Sequence, residues 1–89
     1  MTQPADRIHP HPDPQITIVV EVDGRNKKVT FKHSPVTGGE IRRAAGAAPD
    51  DDLTRLVHGK PVGGNIEPDE KVEIKDGDHF VALPTGKVS

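Results

Sequence analysis

Among the 89 residues, one atom stands out as a possible reaction centre, the backbone carbonyl carbon of Gly86 in the run Leu83, Pro84, Thr85, Gly86, Lys87, Val88, Ser89. Gly86 has no Cβ, so a narrow active site can come close to its carbonyl, and the extended approach through Pro84 and Thr85 could thread a channel. For that carboxylate to be free, Lys87, Val88 and Ser89 must first be removed as a cap. The competing reading is a frayed terminus in which none of these residues has a task.

The other polar groups assemble no site. The five histidines are His9, His11, His33, His58 and His79, and only His9 and His11 are close in sequence. They match no HExxH spacing and lack the further ligands a structural zinc requires. With no cysteine, neither a thiolate metal site nor a cysteine nucleophile can be built. Asp50, Asp51 and Asp52 lack calcium-loop spacing, as do Asp76, Gly77 and Asp78, and both read as turns. Gly38 and Gly39 precede a helix, but no lysine follows where a nucleotide loop needs one. No nucleophile, base and orienting group can be put together, so neither a catalytic residue nor a cofactor or metal is expected.

Composition narrows the partners. A net charge of −2 gives no general attraction to nucleic acid, and base stacking would need more exposed aromatics than Phe31 and Phe80. No run approaches the roughly 20 apolar residues of a membrane span. The absence of cysteine fits a reducing compartment, so a soluble, cytoplasmic protein with protein partners is expected. With 31% apolar residues and only two aromatics, the core must be built from small aliphatic side chains.

The elements that would position Gly86 can be read in order. Residues 1–14 hold four prolines and little apolar material, and are expected to be a disordered extension. Ile16, Ile18, Val20 and Val22 alternate with Thr17, Val19 and Glu21, the period of a strand with one buried face. Asp23, Gly24, Arg25 and Asn26 make a turn, with Gly24 and Asn26 suited to positive φ, and Val29 and Phe31 continue a second strand. Val36, Thr37, Gly38, Gly39, Glu40, Ile41 is a helix start, with Thr37 as N-cap and Glu40 as its capping-box partner. Ile41, Ala44 and Ala45 then share the inward face of a helix of about ten residues ending near Gly46, with Arg42 and Arg43 on a solvated side. Leu53 to His58 reads as a short strand, Lys60 to Asn65 as loop, and Ile66 as a lone apolar plug. Val72 and Ile74 alternate around Glu73, and Phe80 to Leu83 is a last strand stopped by Pro84. This order predicts an α+β fold of the β-grasp type, a mixed four- to five-stranded sheet packed on one helix, with the first and last strands adjacent at its centre. The domain would span residues 15–83, with 84–89 as a flexible tail.

These residues resemble ubiquitin-like proteins. Ala48, Pro49, Asp50, Asp51, Asp52 followed by Leu53 to Lys60 is similar to ubiquitin's proline-aspartate turn, its short strand and the glycine-lysine turn beyond. Val36 to Arg42 with Ala45 and Gly46, Val22 to Gly24, and Asp76 to Phe80 resemble the prokaryotic multiubiquitin-type family of bacterial ubiquitination-like operons. The resemblance covers Gln15 to Gly86. It implies a protein modifier: a metallopeptidase trims the chain after Gly86, and an activating enzyme uses ATP to adenylate the new carboxylate. A conjugating enzyme then carries it as an ester-type intermediate and joins it by an isopeptide bond to a target protein. Leu83, Pro84 and Thr85 would be gripped during these steps. One departure is Thr85, where ubiquitin and many relatives have a second glycine.

A modifier also needs a face that partners grip, and the open side of the sheet is expected to serve. Leu56 and Ala82, with Val19, are the candidates there, with Leu56 equally readable as core. Arg25 begins a basic edge that continues in Lys27, Lys28 and Lys32 and reads either as a solvated edge or as a docking patch, and Lys60 could itself accept a modifier. Two other readings of the same fold stand beside the modifier: a sulfur carrier ending in a thiocarboxylate, and an interaction module that is never conjugated.

Overall fold

The alternation in the first apolar segment becomes β1, Ile16–Val22, with Ile18, Val20 and Val22 buried along one side. The computed structural model describes residues 15–84 of the chain. Asp23 and Gly24 form the turn, at φ 54° and 77°. This is the two-residue loop whose twist suits a hairpin, so Asp23 takes the positive-φ place expected of Asn26. Asn26 instead lies in β2, Arg25–Phe31, which pairs antiparallel with β1 from Val22↔Arg25 to Ile16↔Phe31.

Two residues of β3, Val36–Thr37, lead directly into α1, Gly38–Ala45. The expected capping box is formed: Glu40 N–H donates to Thr37 Oγ1 at 3.1 Å, and Thr37 N–H donates to Glu40 Oε1 at 2.7 Å. Gly46 closes the helix in the left-handed conformation at φ 79°. The inward face departs from expectation. Gly38, Ile41, Arg42 and Ala45 are buried, whereas Ala44 is exposed. Positions 38, 41, 42 and 45 are themselves an i, i+3, i+4, i+7 stripe, and the helix is rotated so that this stripe faces the interior.

After an acidic turn come β4, Asp52–Val57, and β5, Lys60–Val62, joined by His58 and Gly59, both at positive φ. Residues 60–62, expected as loop, are therefore a strand. Pro61 pairs with Leu56 but cannot donate to a ladder, and the position is compatible only because β5 is the outermost strand. Conversely, the strand expected around Glu73 shrinks to β6, Lys71–Val72, which pairs with β3 in a separate small sheet. Ile74 follows it and is still buried, its N–H donating to Ser34 Oγ at 3.0 Å.

The last strand, β7, His79–Leu83, lies between β1 and β4, giving the order β2-β1-β7-β4-β5. It runs parallel to β1, with Val19↔His79 through Val22↔Ala82 as partners, and antiparallel to β4. The loop before it is tied to β1: Thr17 N–H donates to Asp76 Oδ1 at 2.6 Å, and Gly77 N–H to the Thr17 carbonyl at 2.8 Å. One helix against a five-stranded mixed sheet, with first and last strands parallel neighbours, is a β-grasp. Phe80, Ile18, Ile41, Leu53, Val20 and Val36 are the largest of its fully buried side chains. Each such burial contributes about 1.5–3 kcal/mol before entropy is counted.

Candidate functional site

Pairing of Asp52 with Leu83 is the last register position of β7 against β4. Leu83 is 54% exposed and Pro84 is exposed, so the backbone emerges from the sheet interior into solvent two residues before Gly86. Thr85, Gly86, Lys87, Val88 and Ser89 lie outside the described residues, as do His9, His11 and the expected extension 1–14.

On the face of the sheet away from α1, pairing lines up Val19, His79 and Leu56 across three strands. Val81 stands one row along, between Glu21 and Thr54. Leu56, Val19 and Val81 are half-buried, and His79 is exposed. None of the three apolar residues belongs to the buried core, which resolves Leu56 as a face residue. Ala82 is a correction: at 1% exposure it is core, because it shares the inward phase of β7 with Phe80. Its neighbour Val81 has the outward phase and takes its place. Arg25 and Lys60 are both exposed but begin the two outermost strands, on opposite edges of the sheet, and so form no common patch.

A cleft of about 380 Å³ adjoins the outward row, lined by Leu56, His58, Gly59, Gly77, Asp78 and His79 among others. Among the described residues, no group of three His, Cys, Asp or Glu side chains converges as a metal site. Asp78 is engaged elsewhere: it accepts from the Lys75 N–H at 2.9 Å and pairs with Arg55 at 3.5 Å. Arg55 also lies over the Phe80 ring, 5.1 Å from its centroid, closing the rim of the core.

Arg42, expected on a solvated face, is 2% exposed. Its Nε donates to the Asp51 carbonyl at 2.8 Å, and its Nη2 to the Ile66 carbonyl at 2.6 Å and to Asn65 Oδ1 at 3.1 Å. Nη1 is buried without a partner. Gly38 sits directly beside it: a Cβ there would be 2.9 Å from Nη1 and would collide with the Glu67 carbonyl. Thus the guanidinium joins the helix to the turn before β4 and the segment after β5. Sequence reasoning missed it, and only the i, i+3, i+4, i+7 spacing of Gly38, Ile41, Arg42 and Ala45 could have placed it inward. At the other end of the capping box, Glu40 is held below the ordinary carboxylate range, chiefly by the Thr37 backbone hydrogen bond.

No protein-family model matches this chain, and no curated protein or solved structure does so either. Among the described residues, no helix is long and apolar enough to cross a membrane.

Proposed function

We propose that this chain is a ubiquitin-like protein modifier of the prokaryotic type, joined to target proteins through the carboxylate of Gly86. The observation that carries the reading is the placement of β7, a central strand of a β-grasp sheet that opens into solvent at Leu83 and Pro84, two residues short of Gly86. Within the described residues, β7 thus holds the approach to Gly86 as far as Pro84.

In this scheme a peptidase hydrolyses the bond after Gly86 and frees its carboxylate. The carboxylate attacks the α-phosphorus of ATP, pyrophosphate leaves, and the acyl adenylate is taken by an enzyme thiol with loss of AMP. A target amine then displaces the thiol and forms the amide. Every catalytic group belongs to the partners, and this chain supplies the electrophile and the surface they hold.

The test is incubation of the full chain with ATP and with activating, conjugating and peptidase enzymes of prokaryotic ubiquitin-like systems, followed by intact-mass analysis. The expected result is loss of the residues after Gly86 and a covalent adduct through its carboxylate. An unchanged mass with partners that are active on their own substrates would overturn the reading. The half-buried apolar residues Val19, Leu56 and Val81 on the open face of the sheet favour a second reading, an interaction module that is never conjugated. Full biological activity of a chain ending before Pro84 would select it.

A further inference from the structure

We propose that the free edge of β2 takes an acidic, extended protein segment as an added strand. This stands independently of whether Gly86 is ever joined to anything.

β2 is the outermost strand on its side of the sheet and runs seven residues in unbroken register with β1. Its two-residue turn closes on the Val22–Arg25 pair, and in an antiparallel ladder alternate pairs exchange both hydrogen bonds. Arg25, Lys27, Val29 and Phe31 therefore turn their backbone groups to β1. Asn26, Lys28 and Thr30 present theirs outward, a row of donors and acceptors with no strand opposite among the described residues. The other outer strand, β5, is built differently: it has three residues, and Pro61 is the middle one. Shortness and proline both blunt an edge, and β2 has neither.

Charge selects the occupant. Arg25, Lys27, Lys28 and Lys32 are four of the twelve Lys and Arg residues of a chain with net charge −2, and no Asp or Glu lies between Gly24 and Gly39. All four are exposed, and none forms an ion pair with a described residue. Alternation puts Arg25 and Lys27 towards the helix side and Lys28 towards the open side, so an added strand meets cations on both of its faces. On the helix side, Arg25, Lys27, Val22 and Gly46 border a cleft of about 340 Å³, with Asp23 at the turn as its one acid. A second copy of β2 would place cations against cations, and neutral strands gain nothing from the charge. Acidic strands gain both the ladder and the attraction.

The test uses the full chain and a short synthetic peptide of alternating valine and aspartate, followed by amide NMR and hydrogen exchange. Shifts confined to residues 25–32 and the end of α1 are expected, with slowed exchange at Asn26, Lys28 and Thr30. The double variant Lys27→Glu, Lys28→Glu should weaken binding by about tenfold or more, and added salt should do the same. Because such a variant could disturb the hairpin, a peptide N-methylated at alternate amides serves as the second probe, and it should bind at least about tenfold more weakly to the unaltered chain. Absence of shifts at millimolar peptide, equal binding of the N-methylated peptide, or shifts centred on Leu56 and His79 would each overturn the proposal. So would a single-stranded oligonucleotide producing the same shifts more tightly than the peptide.

Discussion

Asn65 Oδ1 accepts two hydrogen bonds at once, from Arg42 Nη2 at 3.1 Å and from the Leu53 N–H at 2.8 Å. One side-chain oxygen thus connects the helix, the strand β4 and the segment that follows β5. Around it, the Arg42 guanidinium satisfies the carbonyls of Asp51 and Ile66, groups that would otherwise be buried or half-buried without donors.

Replacing Arg42 by alanine should cost about 2–4 kcal/mol, because the Asp51 and Ile66 carbonyls lose their donor while Asn65 Oδ1 loses one of its two. Arg42→Lys should recover little, since one ammonium on a flexible stem cannot reproduce the planar fork. Urea unfolding of the full chain measures both. A loss below about 1 kcal/mol for Arg42→Ala would show that water replaces the guanidinium without penalty.

Gly38→Ala should destabilise by about 1–3 kcal/mol, since its Cβ has no room between Glu67, Ile66 and Arg42. Gly64→Ala is the comparison, because its Cβ would meet nothing within 4 Å. It should be neutral or stabilising by up to about 1 kcal/mol. Equal effects at the two positions would contradict the close approach at the helix start.

Stability should depend on pH through Glu40. Its folded-state pKa is lowered, so its contribution is present above the ordinary carboxylate pKa and is lost as pH falls through the lowered folded value. Thermal midpoints of the natural chain and Glu40→Gln should therefore differ near neutral pH and converge in acid. A constant difference across that range would assign the stabilisation to the hydrogen bonds alone.

The two faces of β7 and β4 should respond oppositely to side-chain size. Ala82→Leu should lose about 1–3 kcal/mol by overpacking the core, whereas Leu56→Ser should change stability by less than about 1 kcal/mol. Chemical denaturation of both variants checks the assignment, and a large loss at Leu56 would return it to the core.

What could be read from the residues was local. The alternation at Ile18, Val20 and Val22 and the box of Thr37 with Glu40 each depend on neighbours a few positions away, and both are in the structure as read. The central pairing of first and last strands also followed, because one helix over a sheet leaves few chain paths. Arg42 was misplaced because its acceptors are 9, 23 and 24 residues distant, and a charged residue gives no apolar signal of burial. Ala82 was misplaced by a single residue of phase, and in a strand one residue exchanges the two faces. β5 escaped notice because Pro61 reads as a strand breaker unless the strand is known to be outermost.

Parallel alignment of β1 with β7 has a mechanical consequence. Tension applied between residue 15 and residue 84 pulls the two strands past each other along their length, so the hydrogen bonds of Val19–Val22 against His79–Ala82 bear load together instead of opening one by one from an end. A chain loaded in that direction resists rupture until the whole clamp slips, and its lifetime under force is set by the unfolding rate rather than by the equilibrium between folded and unfolded forms.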